Sequence, residues 1–217
     1  ASRKKVAYAE GEDERVLRAV QIVVDEGLAR PTLIGRPEVI TQRIERFGLR
    51  LREGVDYDVV NVENDPRYRD FWQTYHRIME RRGVTEQLAK IEMRRRLSLI
   101  GTMLLHKGHV DGMICGTWST PNVHLDFIRP VIGYRPGIST YACMNGLILP
   151  NRQVFLVDTH VNQNPSAEEL AQITIMAAEE IRRFGIRPMA ALLSSSNFGS
   201  HRNESRSEEH TSELQSH

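Results

Sequence analysis

Between Lys5 and Asn61, short apolar runs alternate with segments whose apolar residues recur every three or four positions. Lys5–Ala9, Pro31–Gly35 and Tyr57–Asn61 read as strands. After the turn Glu10–Glu14, Val16, Leu17, Val20, Val23 and Val24 fall on one helical face, which Gly27 closes. Val39, Ile40 and Ile44 repeat the pattern up to Gly48. Parallel neighbours need a crossover between them, so this β-α-β-α-β order predicts a parallel, doubly wound sheet with helices on both faces.

Two long helical patterns follow. Tyr68, Phe71, Trp72, Tyr75, Ile78 and Met79 form an aromatic stripe of the kind that faces a core. The second pattern runs from Thr85, an expected N-cap, to Gly108, and carries the triplet Arg94–Arg96. That triplet reads as a solvated face or as a grip on a phosphate. Val110–Gly116 is the next strand, ahead of a loop, Thr117–Asn122, and a helix bearing His124 and Arg129. Further strands are expected around Thr140–Met144 and Gln153–Val157. Ser166 and Glu169 have the spacing of a capping box for a helix that ends at Gly185. A last strand, Ala190–Leu193, runs into Ser194–Ser200.

Three loops share one character: Thr117–Asn122, Asp158–Asn164 and Ser194–Ser200. Each follows an apolar run and is dense in hydroxyls, amides or a carboxylate. In an open parallel sheet such loops converge outside the carboxyl ends of the strands, where ligands bind. Gly199 permits close backbone approach beside the hydroxyls of Ser194, Ser196 and Ser200, which suits a phosphate cradle. A serine-rich turn is the plain alternative. The loop set favours an anionic, phosphate-bearing organic ligand over a metal or nucleic acid.

Composition narrows the classes without choosing among them. The formal net charge is +1, or +3 without the one arginine and three glutamates of residues 206–217. Neither value argues for nucleic acid or an anionic membrane. Apolar residues make up 40% and charged residues 26% of 217, as in an ordinary soluble protein. No apolar run nears the length of a membrane span. Cys115 and Cys143 sit far apart in apolar stretches, so buried free thiols in a reducing cytoplasm are expected. No Cys/His cluster has metal-ligand spacing. A dinucleotide-binding dehydrogenase fits poorly, because Glu10-Gly-Glu-Asp follows the first strand where a glycine-rich fingerprint would stand.

Read as a set, the opening VAYAEGEDERVLRAVQIVVDEGLARPTLIGRP, the middle DPRYRDFWQTYHRIMERRGVT, then VDTHVNQNPSAEELAQITIMAAEEIRRFGI and ALLSSSNFGS resemble the phosphate acetyl/butyryltransferase family. The form is most similar to the domain fused to the carboxyl end of bacterial NADP-dependent malic enzymes. The resemblance implies a two-lobed α/β/α sandwich of the isocitrate/isopropylmalate dehydrogenase-like kind, with acyl-CoA between the lobes. It places acyl-CoA and phosphate binding on Ser119 and Thr120 after Gly116, on Asp158, Asn162 and Asn164 ahead of Pro165, and on Ser194, Ser196, Asn197, Gly199 and Ser200. Arg129-Pro130 stands as counterpart of a family Arg-Pro pair. The stretch between Ser119-Thr120 and Arg129 is longer than in stand-alone transferases. Asn197-Phe198 occupies the place where many active ones carry Thr-Lys.

The resemblance further implies acetyl-CoA as ligand and a homo-oligomer in the cytoplasm. NADP and a divalent metal would be served only by an N-terminal malic-enzyme domain of the parent. Residues 206–217, RSEEHTSELQSH, resemble a translated sequencing adapter, and the chain begins at Ala1. Residues 1–205 are therefore expected to be a C-terminally truncated domain. The family's catalytic Ser-Arg pair would lie beyond it, and such a piece would be inactive. An active phosphate acyltransferase is the competing expectation.

Overall fold

Strands β1 (Lys5–Tyr8), β2 (Arg30–Gly35), β3 (Asp58–Asn61) and β4 (Gly112–Ile114) form one parallel sheet in the order β3-β2-β1-β4. The computed structural model describes residues 3–193, and the chain divides into two units after Gly133. In the first unit, neighbouring strand residues face opposite sides of the sheet. Tyr8, Leu33 and Tyr57 pack with Leu17 and Val20 of α1 (Glu14–Asp25) and Ile40 and Ile44 of α2 (Pro37–Arg46). On the other face Ala7, Ile34 and Val60 meet α3 (Tyr68–Met79), α4 (Glu86–Arg95), α5 (Leu97–His106) and the end of α6 (Pro121–Ile132). The predicted doubly wound arrangement is therefore present. The aromatic stripe is core, with Phe71, Trp72 and Tyr75 buried.

Chain direction across the sheet reverses at one place. From β1 the chain steps outward through β2 and β3, then returns to set β4 on the other side of β1. The segments leaving the carboxyl ends of β1 and β4 consequently lead to helices on opposite faces of the sheet, α1 and α6, and such a reversal is where open parallel sheets bind ligands.

The single helix expected over 85–108 is two. Thr85 caps α4 by accepting from the Leu88 N–H at 3.2 Å, but Arg96 sits in an extended conformation, with ψ 95°, between α4 and α5. Arg94 lies over the Tyr68 ring and Arg96 over Phe127. These aromatic contacts seat the two guanidiniums on different neighbours.

In the second unit, β5 (Met144–Leu149) and β6 (Arg152–Val157) form an antiparallel hairpin that is a sheet of its own. The strand expected around Gln153–Val157 is present, whereas the one expected around Thr140–Met144 is displaced, since β5 begins where that run was to end. Only two residues separate the strands, which suits a hairpin and excludes a crossover. α7 (Ala167–Arg183) opens with the predicted capping box: the Ser166 hydroxyl accepts from the Glu169 N–H, and the Glu169 carboxylate from the Ser166 N–H. Residues 187–193 form no strand, and Met189, Leu192 and Leu193 are exposed. An apolar run becomes a strand only where a neighbour pairs with its backbone.

Candidate functional site

The carboxyl-end side of the sheet is built from the turn after β1 and the loop after β4. Gly11 lets that turn lie against β2: its N–H donates to the Ile34 carbonyl at 3.1 Å, and a Cβ there would stand 2.8 Å from the same oxygen. The flanking carboxylates Glu10, Glu12 and Asp13 are buried. Glu12 takes the Arg36 backbone N–H at 2.8 Å and both arms of its guanidinium, at 3.0 and 2.8 Å. The Arg36 hydrogen bonds outweigh burial and hold the Glu12 carboxyl below its usual range. Asp13 caps α1 through the Arg15 N–H and receives the Arg15 guanidinium as well. That contact, with a further bond from Trp118, lowers its pKa to about 2 against the opposing effect of burial.

These acids also grip the loop after β4. Glu10 accepts the Gly116 N–H at 3.1 Å, and Asp13 accepts the Trp118 indole N–H at 2.8 Å. On its other side, the Trp118 carbonyl lies 2.6 Å from His124 Nε2, while His124 Nδ1 lies 2.5 Å from the Ser98 hydroxyl. Ser119 then turns through a left-handed conformation, φ 74°, uncommon for a residue with a Cβ. Ser119 and Thr120 are exposed, and Thr120 sits at the N-cap of α6 without a side-chain capping bond. Both residues are thus exposed beside a helix N-terminus. Arg129 lies in the last turn of α6 and is half-buried.

Asp158 occupies a comparable place in the second unit, directly after β6. It is also left-handed, φ 55°, and its carboxylate explains why. It accepts from the Val161 N–H at 3.2 Å, the Asn162 N–H at 3.0 Å and the Asn162 side-chain amide at 2.7 Å. Local bonds of this kind are what let aspartate adopt that conformation. Asn162 also donates to the Tyr141 carbonyl at 2.6 Å. Asp158 and Asn162 are thus brought together as the internal frame of their loop, while Asn164 is exposed just before Pro165. Ser194, Ser196, Asn197, Gly199 and Ser200, like residues 206–217, lie outside the described residues.

Both cysteines are free and half-buried, and burial with the Glu10 charge pushes the Cys115 thiol up to about 11. Among the described residues no group of three or more His, Cys, Asp or Glu side chains is placed to hold a metal ion. No helix among them is long and apolar enough to cross a membrane. The contribution of Glu10, Asp13, Ser98 and His124 to this loop escapes the sequence reading. The one signal available was three acids packed at the end of a buried strand.

The profile of the phosphate acetyl/butaryl transferase family matches residues 1–213, and the chain belongs to that family. It is 50% identical over 197 residues to the NADP-dependent malic enzyme of Escherichia coli (strain K12), a match covering 91% of this chain and 26% of that protein. A phosphate acetyltransferase of Nitratidesulfovibrio vulgaris is 33% identical over 196 residues, 89% of this chain and 27% of the enzyme. The solved phosphotransacetylase of Streptococcus pyogenes superposes with a TM-score of 0.77 at 28% identity, over 93% of this chain and 60% of that one. The chain thus corresponds to a phosphate acetyl/butaryl transferase domain and spans about a quarter of the length of that malic enzyme and of that acetyltransferase.

Proposed function

We propose that this domain binds acetyl-CoA without turning it over, as the regulatory region of an NADP-dependent malic enzyme. The observation that carries this reading is the gap in similarity: 50% identity to a malic enzyme against 33% to a phosphate acetyltransferase, over nearly the same stretch. Asn197-Phe198, where many active transferases of the family carry Thr-Lys, supports it. The ligand's phosphate-bearing part meets the hydroxyls of Ser119 and Thr120 at the amino end of α6, with Arg129 near the far end of that helix.

The parent works in the cytoplasm as a homo-oligomer, in the two-lobed isocitrate/isopropylmalate dehydrogenase-like architecture. NADP and a divalent metal belong to its malic-enzyme domain. The second reading, an active phosphate acyltransferase, rests on the phosphate acetyltransferases among its relatives. In that case the site would also stabilise a tetrahedral oxyanion and move the thiol proton.

Titration calorimetry with acetyl-CoA, run beside an assay of acetyl transfer to inorganic phosphate, separates the two. Binding without transfer is the expected result. Transfer above a no-protein control, abolished by Ser196→Ala, would establish the second reading.

A further inference from the structure

We propose that Ser98, His124 and Asp13 are positioning residues that lock Trp118, and through it set the Ser119 and Thr120 hydroxyls in one geometry. The consequence for ligand rests on the reading of that loop as acetyl-CoA-binding. Trp118 is held at two points of opposite polarity. Its indole N–H donates to Asp13 at 2.8 Å, and its carbonyl accepts from His124 at 2.6 Å. A carbonyl oxygen only accepts, so His124 Nε2 carries a proton. In the neutral ring Nδ1 then accepts from the Ser98 hydroxyl at 2.5 Å.

Ser98 and His124 are 7% and 8% exposed, and both imidazole nitrogens already have partners. The pair therefore has neither a free base nor an open approach, and does not read as a nucleophile with its base. It reads as a tether between α5, α6 and the loop. The preceding residues are pinned as well: Glu10 holds the Gly116 N–H, and the Arg15 guanidinium reaches the Thr117 carbonyl at 3.4 Å. The chain leaves this clamp at Ser119, in the left-handed turn. A left-handed serine is unfavourable, and persists only where its surroundings over-determine it.

The test is amide hydrogen exchange of residues 116–120 in the unliganded chain, measured beside acetyl-CoA affinity. His124→Leu should speed exchange in this loop about tenfold and weaken acetyl-CoA about as much, the scale of one lost buried hydrogen bond. Strand β2 should exchange as before. His124→Gln, whose side-chain amide supplies a donor near the place of Nε2, should restore both. Trp118→Phe, which keeps the ring and loses the indole N–H, should shift both in the same direction as the leucine variant. Unchanged loop exchange in the leucine and phenylalanine variants overturns the inference, and loss of acetyl-CoA affinity in Ser119→Ala or Thr120→Val would then leave the site reading standing. Failure of the wild-type chain to bind acetyl-CoA, with the exchange response and glutamine rescue intact, overturns the site reading and supports the tether.

Discussion

Asp13 caps a helix, pairs with Arg15 and holds Trp118, all through one buried carboxylate. Its pKa is about 2 in the folded chain against an ordinary 3.8, so folding favours the ionised form. The resulting stability is present above pH 3.8 and is lost as pH falls through the folded value. Arg15 is largely exposed, which screens the pair, so the contribution is on the order of 1 kcal/mol. Asp13→Asn keeps an acceptor at one of the two oxygen positions, so it retains the cap or the indole bond but not both, and it removes the titration. Urea unfolding between pH 5 and 2 should therefore show the wild type losing about 1 kcal/mol more than this variant. Parallel pH profiles would mean that Asp13 is not held ionised by its neighbours.

At the scale of elements, local signals succeeded where the partner residue is close in sequence. The capping box needs only Ser166 and Glu169, three residues apart, and both reciprocal bonds are present. Ser166→Ala should lower stability by about 1 kcal/mol, read as a shift in the denaturation midpoint with an unchanged slope. Ser166→Asp should recover most of that loss, since aspartate caps as well. The helix expected over 85–108 failed for the opposite reason. At the break Arg96 is extended and its guanidinium lies over Phe127, an aromatic from α6, thirty-one positions further on. Periodicity within a window carries no information about such a partner. The apolar runs marked two strands near β5 and β6 but not their antiparallel pairing, because apolar content does not report a strand's direction.

For the whole molecule, burial is unequal between the two units. The first holds two clusters of buried side chains on the two faces of its sheet. In the second, Ile173 and Thr140 are buried, while Ile148 is 87% exposed and Leu147, Leu149, Leu156 and Val157 are exposed too. Elements with few buried apolar contacts open at lower free energy than a packed core. Amides of β5 and β6 should therefore exchange at least about a hundredfold faster than those of β1 and β2 in the native chain. Equal protection would show that the hairpin opens only with the rest of the molecule.

Read alone, the sequence determined the first three strands and their helices, the core role of the Tyr68–Met79 stripe and the cap of α7. Each depends on spacing or on a side chain within a few residues. It also marked Ser119 and Asp158, the two non-glycine residues with positive φ among those described, as members of candidate loops. Only the tertiary structure decided what holds those loops. Asp13 lies 105 positions from Trp118, and Glu10 lies 106 from Gly116. They meet because β4 returns to lie beside β1, a pairing that follows from burying both faces of the sheet and leaves no trace in either segment.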